Sequence, residues 1–168
     1  PFRPSPCYVD CMNSIAKLVV AAFAGLLVAA VPASAHPHVW VTMKSEVVYA
    51  PDGTVTGIRH AWTFDDMFST FALQGLESKE KGKFTREELQ PLAEVNVTSL
   101  KEYDFFTFAK VNGKKTQFVE PKDYHLELSS DQLLTLHFLL PLKEPVQTKS
   151  MDFEVFDPSY FVDFQLAE

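Results

Sequence analysis

Residues 39–64 read VWVTMKSEVVYAPDGTVTGIRHAWTF, and the fold follows from that stretch. Val39 to Tyr49 is strand-like, and so is Thr54 to Phe64. Between them Pro51-Asp52-Gly53 is a turn, because proline presets φ and glycine accepts positive φ. The two runs therefore predict a hairpin. Side chains alternate along a strand, so Ile58, His60, Trp62 and Phe64 share one face of its second arm. Gly57, Arg59, Ala61 and Thr63 share the other.

Beyond the hairpin the period changes. Met67, Phe68, Phe71 and Ala72 recur at helical spacing over Asp65 to Leu76, and Asp65 or Asp66 can cap the N-terminus. Thr85-Arg86-Glu87-Glu88 is a capping box that opens a second helix to about Asn96, with Pro91 working against its middle. Strand patterns then return. Tyr103 to Val111 and Lys114 to Val119 flank Asn112-Gly113, a strong hairpin turn. Tyr124 to Leu128, Leu133 to Leu140, Met151 to Phe156 and Tyr160 to Leu166 complete the series. The predicted fold is mainly β within the α+β class, a β-sandwich or curved antiparallel sheet with an inserted helical pair.

Upstream of the hairpin lies a secretory signal. Met12 and Lys17 precede an apolar run from Leu18 to Val31, Pro32 breaks it, and Ala33-Ser34-Ala35 forms a small-residue cleavage site. The run falls short of the ~20 apolar residues that a membrane span needs. Pro1 to Cys11 fits no structural element and reads as an over-extended start. The expected domains are a removed leader, 1–35, and a single globular β-rich domain, 36–168. Cleavage takes away Cys7 and Cys11, the only two cysteines. The mature chain would then have no disulfide, no thiol nucleophile and no sulfur ligand. Export without disulfides suits a bacterial periplasm. The full chain carries a net charge of −7, and an acidic protein does not seek nucleic acid through its phosphates.

Cleavage after Ala35 would place His36-Pro37-His38 at the new N-terminus. His36 would then carry a free α-amine and an imidazole, with the His38 imidazole two positions on. Such nitrogen donors suit Ni, Zn or Cu. Pro37 has no N–H, so chelation through the second backbone amide is excluded. A histidine-brace-like or bis-imidazole site remains. The competing role is a merely tolerated N-terminus.

His60 shares a face with Trp62 and Phe64, which reads as core, yet the hairpin also offers it as a third imidazole. Asp65 and Asp157 are subsidiary carboxylate candidates, with helix capping and turn ordering as their structural roles. His125 alternates onto the face of Glu127 and Ser129 and reads as solvated. His137 sits among leucines and reads as structural.

Glu77 to Glu88 has the outline of a calcium loop, with Gly82 sixth and Glu88 twelfth. Lys79 and Lys81, however, occupy positions that need oxygen ligands. It is read as a helix–helix connection and not as a calcium site. No phosphate-binding glycine loop, nucleophile elbow or H-E-x-x-H pair occurs, so no catalytic residues are assigned.

The chain resembles the bacterial domain-of-unknown-function family numbered 1007, described as the periplasmic component of an uncharacterised ABC-type transport system. The resemblance spans His36 to Leu166. It rests on His36-Pro37-His38-Val39-Trp40, on His60-Ala61-Trp62-Thr63-Phe64-Asp65, and on Phe156-Asp157-Pro158-Ser159-Tyr160. It implies a metal-related role beside nickel/cobalt- or zinc-type transport systems, with a membrane permease or ABC-type transporter as partner. The function expected is a periplasmic accessory that binds a transition-metal ion through His36, His38 and His60. The alternatives are a non-metal interaction module that contacts a permease and, more weakly, a histidine-brace copper oxidase or oxygenase.

Overall fold

The computed structural model describes residues 37–168. The leader-like segment, both cysteines and His36 lie outside the described residues. Chain order is β1 (Val39–Tyr49), β2 (Val55–Phe64), α1 (Asp66–Ala72), α2 (Arg86–Leu100), a 3-10 turn (Lys101–Phe106), β3 (Thr107–Val111), β4 (Lys114–Lys115), β5 (Lys122–Leu128), β6 (Leu134–Val146), β7 (Met151–Val155) and β8 (Val162–Leu166). These strands make a five-stranded sheet, ordered β5-β6-β2-β1-β8, and a three-stranded sheet, ordered β4-β3-β7. The fold is mainly β with a helical pair inserted after the first hairpin, as the sequence predicts. One pairing departs from an antiparallel scheme: β8 runs parallel to β1, with Val39 opposite Val162.

The β1–β2 hairpin forms at the predicted turn. The Ala50 amide donates to Thr54 O at 2.8 Å, and the Asp52 carboxylate accepts from the Thr54 amide at 2.9 Å. Gly53 takes φ +83°, a conformation that L side chains rarely adopt. The resulting register sets Val41 opposite Phe64 and Ser45 opposite His60. β2 and β6 then pair with His60 opposite Phe138 and Trp62 opposite Leu136. The alternation of buried and exposed residues places Trp62, Phe138, Leu136 and Leu140 in one core, and Ile58 is buried as well.

Helix α2 closes that core. Thr85 accepts from the Glu88 amide at 3.3 Å, and the Glu88 carboxylate accepts from the Thr85 amide at 2.8 Å, so the capping box is complete. The helix passes through Pro91 and continues to Leu100, longer than the sequence suggests. An interior proline costs ~3 kcal/mol. Burial of Leu89, Ala93 and Val97, spaced four apart on one face, offsets it at ~1.5–3 kcal/mol for each large side chain.

Tyr103 to Phe106 is not strand, contrary to expectation. Asp104, Phe105 and Phe106 take positive φ of 51°, 55° and 48°. Both Phe105 and Phe106 are buried. In an extended strand, consecutive side chains would face opposite sides. The left-handed turn sends both rings inward, and the Phe106 carbonyl then accepts from the Phe156 amide at 3.0 Å.

Candidate functional site

Among the described residues, histidines and carboxylates gather at two places: the end of the main sheet where β1 begins, and the outer face of β5 and β6. At the first, the amides of His38 and Val39 donate to Phe161 O at 2.8 and 3.3 Å. The His38 ring lies 4.9 Å from the Phe161 ring. Asp65 joins the next residue of β1: its Oδ2 accepts from the Trp40 amide at 2.8 Å, while its own amide donates to Trp40 O at 2.9 Å. Its other oxygen accepts from the Phe68 amide at 2.8 Å and caps α1.

Asp157 organises the segment that receives β1. One of its oxygens accepts from the Ser159 amide and hydroxyl at 2.8 and 2.7 Å; the other accepts from the Val162 amide at 2.9 Å. Burial alone would raise the Asp157 carboxyl, but the Ser159 hydroxyl and the Ser159, Val162 and Phe161 amides outweigh it and hold it below the usual carboxylate range. Both carboxylates therefore use each oxygen on backbone amides. Their observed work is to position β1, α1 and the Asp157–Tyr160 turn.

The same register separates His60 from this end. Ser45, its partner on β1, lies seven residues beyond His38. At ~3.3 Å per residue that is about 23 Å, far too long for one metal ion to span. His60 is fully buried, and both ring nitrogens are engaged. Nδ1 lies 2.9 Å from Ser45 Oγ, and Nε2 lies 3.4 Å from Thr107 Oγ1. Thr107 donates its own hydroxyl to Phe105 O at 2.9 Å, so it must accept from His60 Nε2–H. Ser45 then donates to Nδ1, and the ring is neutral. Burial pushes its pKa down from 6.5 to about 3. The expectation that His60 joins His36 and His38 is corrected: it is a core residue that ties β2 to β1 and to β3 of the smaller sheet.

The second gathering was not anticipated. β5 pairs with β6 so that His125 faces His137, and Glu127 faces Thr135. Leu126, Leu134, Leu136 and Phe138 are buried. Alternation then puts His125, Glu127 and His137 together on the opposite face. His137 does not sit among the leucines that flank it. The two imidazoles stack at 4.7 Å with 9° between their planes. Glu127 Oε1 lies 3.2 Å from His125 Nε2, and Oε2 lies 3.5 Å from His137 Nε2. Side-chain exposure is 16% for His125, 32% for His137 and 63% for Glu127, so the cluster opens outward through its carboxylate. Desolvation lowers the His137 pKa, partly opposed by Glu127, with His125 and Arg86 lowering it further. The signal that finds this cluster is hairpin register: with Leu128 opposite Leu134, His125 and His137 must meet.

Two other features bear on function. In the loop before α2, Glu88 would be the twelfth calcium ligand, but its oxygens accept from the Thr85 and Lys79 amides at 2.8 and 3.0 Å. A half-open groove of about 900 Å³, lined by Phe105, Phe108, Phe118, Phe153 and Phe156 among others, borders the smaller sheet and holds no histidine.

The fold and these clusters define a mainly β, α+β domain with histidine–carboxylate chemistry on its main sheet. Residues 21–168 match the family described as "Protein of unknown function (DUF1007)", and the chain belongs to that family. No curated protein and no solved structure matches it.

Proposed function

We propose that the protein is a periplasmic accessory of a transport system, and that it handles a nickel, zinc or copper ion through His36-Pro37-His38 at the N-terminus freed by signal cleavage. The observation that carries this reading is the anchoring of His38 by two amides on the Phe161 carbonyl. Two residues span at most ~7 Å. In a chain that begins at His36, that chain length leaves the amine and the first imidazole within reach of an ion held by the His38 imidazole. His60, Asp65 and Asp157 are not ligands in this reading; the two carboxylates hold the platform from which His38 projects.

The reading is tested by titrating the chain that begins at His36 with Ni²⁺, Zn²⁺ and Cu²⁺, beside the same chain carrying one extra residue before His36. The extension should weaken binding at least about tenfold by removing the amine from chelation. Equal affinity would eliminate the free-amine mechanism.

One observation favours a second reading, a non-metal module that contacts a membrane permease. Trp40, Tyr160 and Phe161 are all exposed at the same end of the sheet, and aromatic residues are enriched at the centres of protein interfaces. Under that reading Trp40→Ala and Tyr160→Ala abolish association with the permease, and metal ions have no effect on it.

A further inference from the structure

The outer face of the main sheet carries three donor groups that the N-terminal reading does not use. Opposed residues in an antiparallel register share a face, so Lys44, Ala61, His137 and His125 form one cross-sheet row. Thr42, Thr63, Thr135 and Glu127 form the next. Glu127 is thus diagonal to His137, within reach of a long side chain. The backbone register, and not a loop, sets the spacing of all three donors.

We propose that His125, Glu127 and His137 bind a divalent transition-metal ion of the zinc, nickel and copper(II) group. Their ligand atoms all lie within 4.8 Å of one another. Donors around a tetrahedral ion at 2.0–2.1 Å are separated by about 3.4 Å. Glu127 Oε1 lies 3.2 Å from His125 Nε2, and its other oxygen, Oε2, lies 3.5 Å from His137 Nε2, so each imidazole is already near that spacing from one carboxylate oxygen. The carboxylate and the two imidazoles must still draw together from within 4.8 Å, and side-chain rotation supplies the movement. The strands need not shift.

The donor types select the ion class. Two imidazoles and one carboxylate suit borderline divalent metals. Calcium takes six or more oxygens, and magnesium an octahedral oxygen shell; this cluster has one carboxylate. Three protein donors leave a coordination position for water or for an exchanging ligand. The exposed carboxylate gives an incoming ion access. A permanently enclosed structural ion would need four protein donors, so this is an exchange site. It requires no free α-amine and is independent of signal cleavage.

The test uses the chain with one extra residue before His36, in which the amine mechanism is disabled. Zn²⁺ and Ni²⁺ are titrated calorimetrically into this protein and into its Glu127→Gln and His137→Ala variants. The extended protein should bind one ion. Glu127→Gln should raise its Kd by about tenfold or more, since even an outer-sphere partner of a metal ligand contributes 10–100-fold. His137→Ala should abolish binding. Glu127 is exposed, and its hydrogen-bonding contact here is with His125, so the Glu127→Gln variant keeps the test valid if His137→Ala fails to fold. Absence of binding by the extended protein, or an unchanged Kd in folded Glu127→Gln, overturns the proposal. Loss of binding only upon N-terminal extension would leave the amine site standing and this one refuted.

Discussion

His60 shows how one residue can be read in two ways until its neighbours are known. On the strand it is an imidazole beside Trp62 and Phe64, and metal ligand or core residue are both open. Its environment decides: Ser45 on one nitrogen, Thr107 on the other, the Phe138 ring tilted against it at 4.9 Å, and full burial. The consequence is a pH dependence. The unfolded chain binds a proton at His60 below about pH 6.5, whereas the folded chain does so only near pH 3. Stability is therefore full above pH 6.5 and falls as pH drops, by about 1.4 kcal/mol per unit. Denaturant unfolding between pH 6.5 and 5, above the range where carboxylates titrate, should show this slope, and His60→Gln should reduce it. An unchanged slope in the variant would mean that His60 is already charged or solvated in the folded protein. Asp65 gives a second residue-scale prediction. Asp65→Ala removes the cap of α1 and the bond to the Trp40 amide, and should cost about 2 kcal/mol. Thermal unfolding measures it.

Among the elements, the first hairpin and the capping box of α2 were legible because each rests on local chemistry. Pro51 and Gly53 define the turn, and Thr85 with Glu88 closes the helix end. The turn at Phe105 and Phe106 was not legible. Its left-handed backbone answers a tertiary demand, the burial of two consecutive rings, which no local propensity encodes. The parallel partner of β1 was hidden for a similar reason. Val162–Leu166 reads as a strand, but its direction depends on where the chain returns after β7. β2 and β6 approach so closely at Gly57 that an added Cβ would lie 2.6 Å from the Leu140 carbonyl oxygen. Gly57→Ala should therefore force the central strands apart and cost roughly 1–3 kcal/mol, as overpacking does. A stability change below about 0.5 kcal/mol, measured by urea unfolding, would show that this contact is slack.

At the scale of the whole molecule, the main sheet places its chemistry at two stations. The end of β1 brings together three stretches far apart in sequence: His38 and Trp40, Asp65, and Asp157 to Phe161. Their residue types were visible in the sequence; their division of labour was not. The carboxylates that looked like spare ligands hold backbone amides, and the pairing of β2 with β1 sets His60 out of reach. The His125–Glu127–His137 cluster was missed although every residue of it was in view. Its existence depends on the pairing of β5 with β6, and the leucines beside His137 in sequence do not reveal the face it occupies.

In the proposed reading, an N-terminus freed by signal cleavage before His36 is itself a metal ligand. Electron paramagnetic resonance of one equivalent of Cu²⁺ bound to the chain beginning at His36 tests it most directly. Nitrogen coordination is expected, with a spectrum that changes when one residue is added before His36, because the amine is then withdrawn. Identical spectra from the two chains would contradict it.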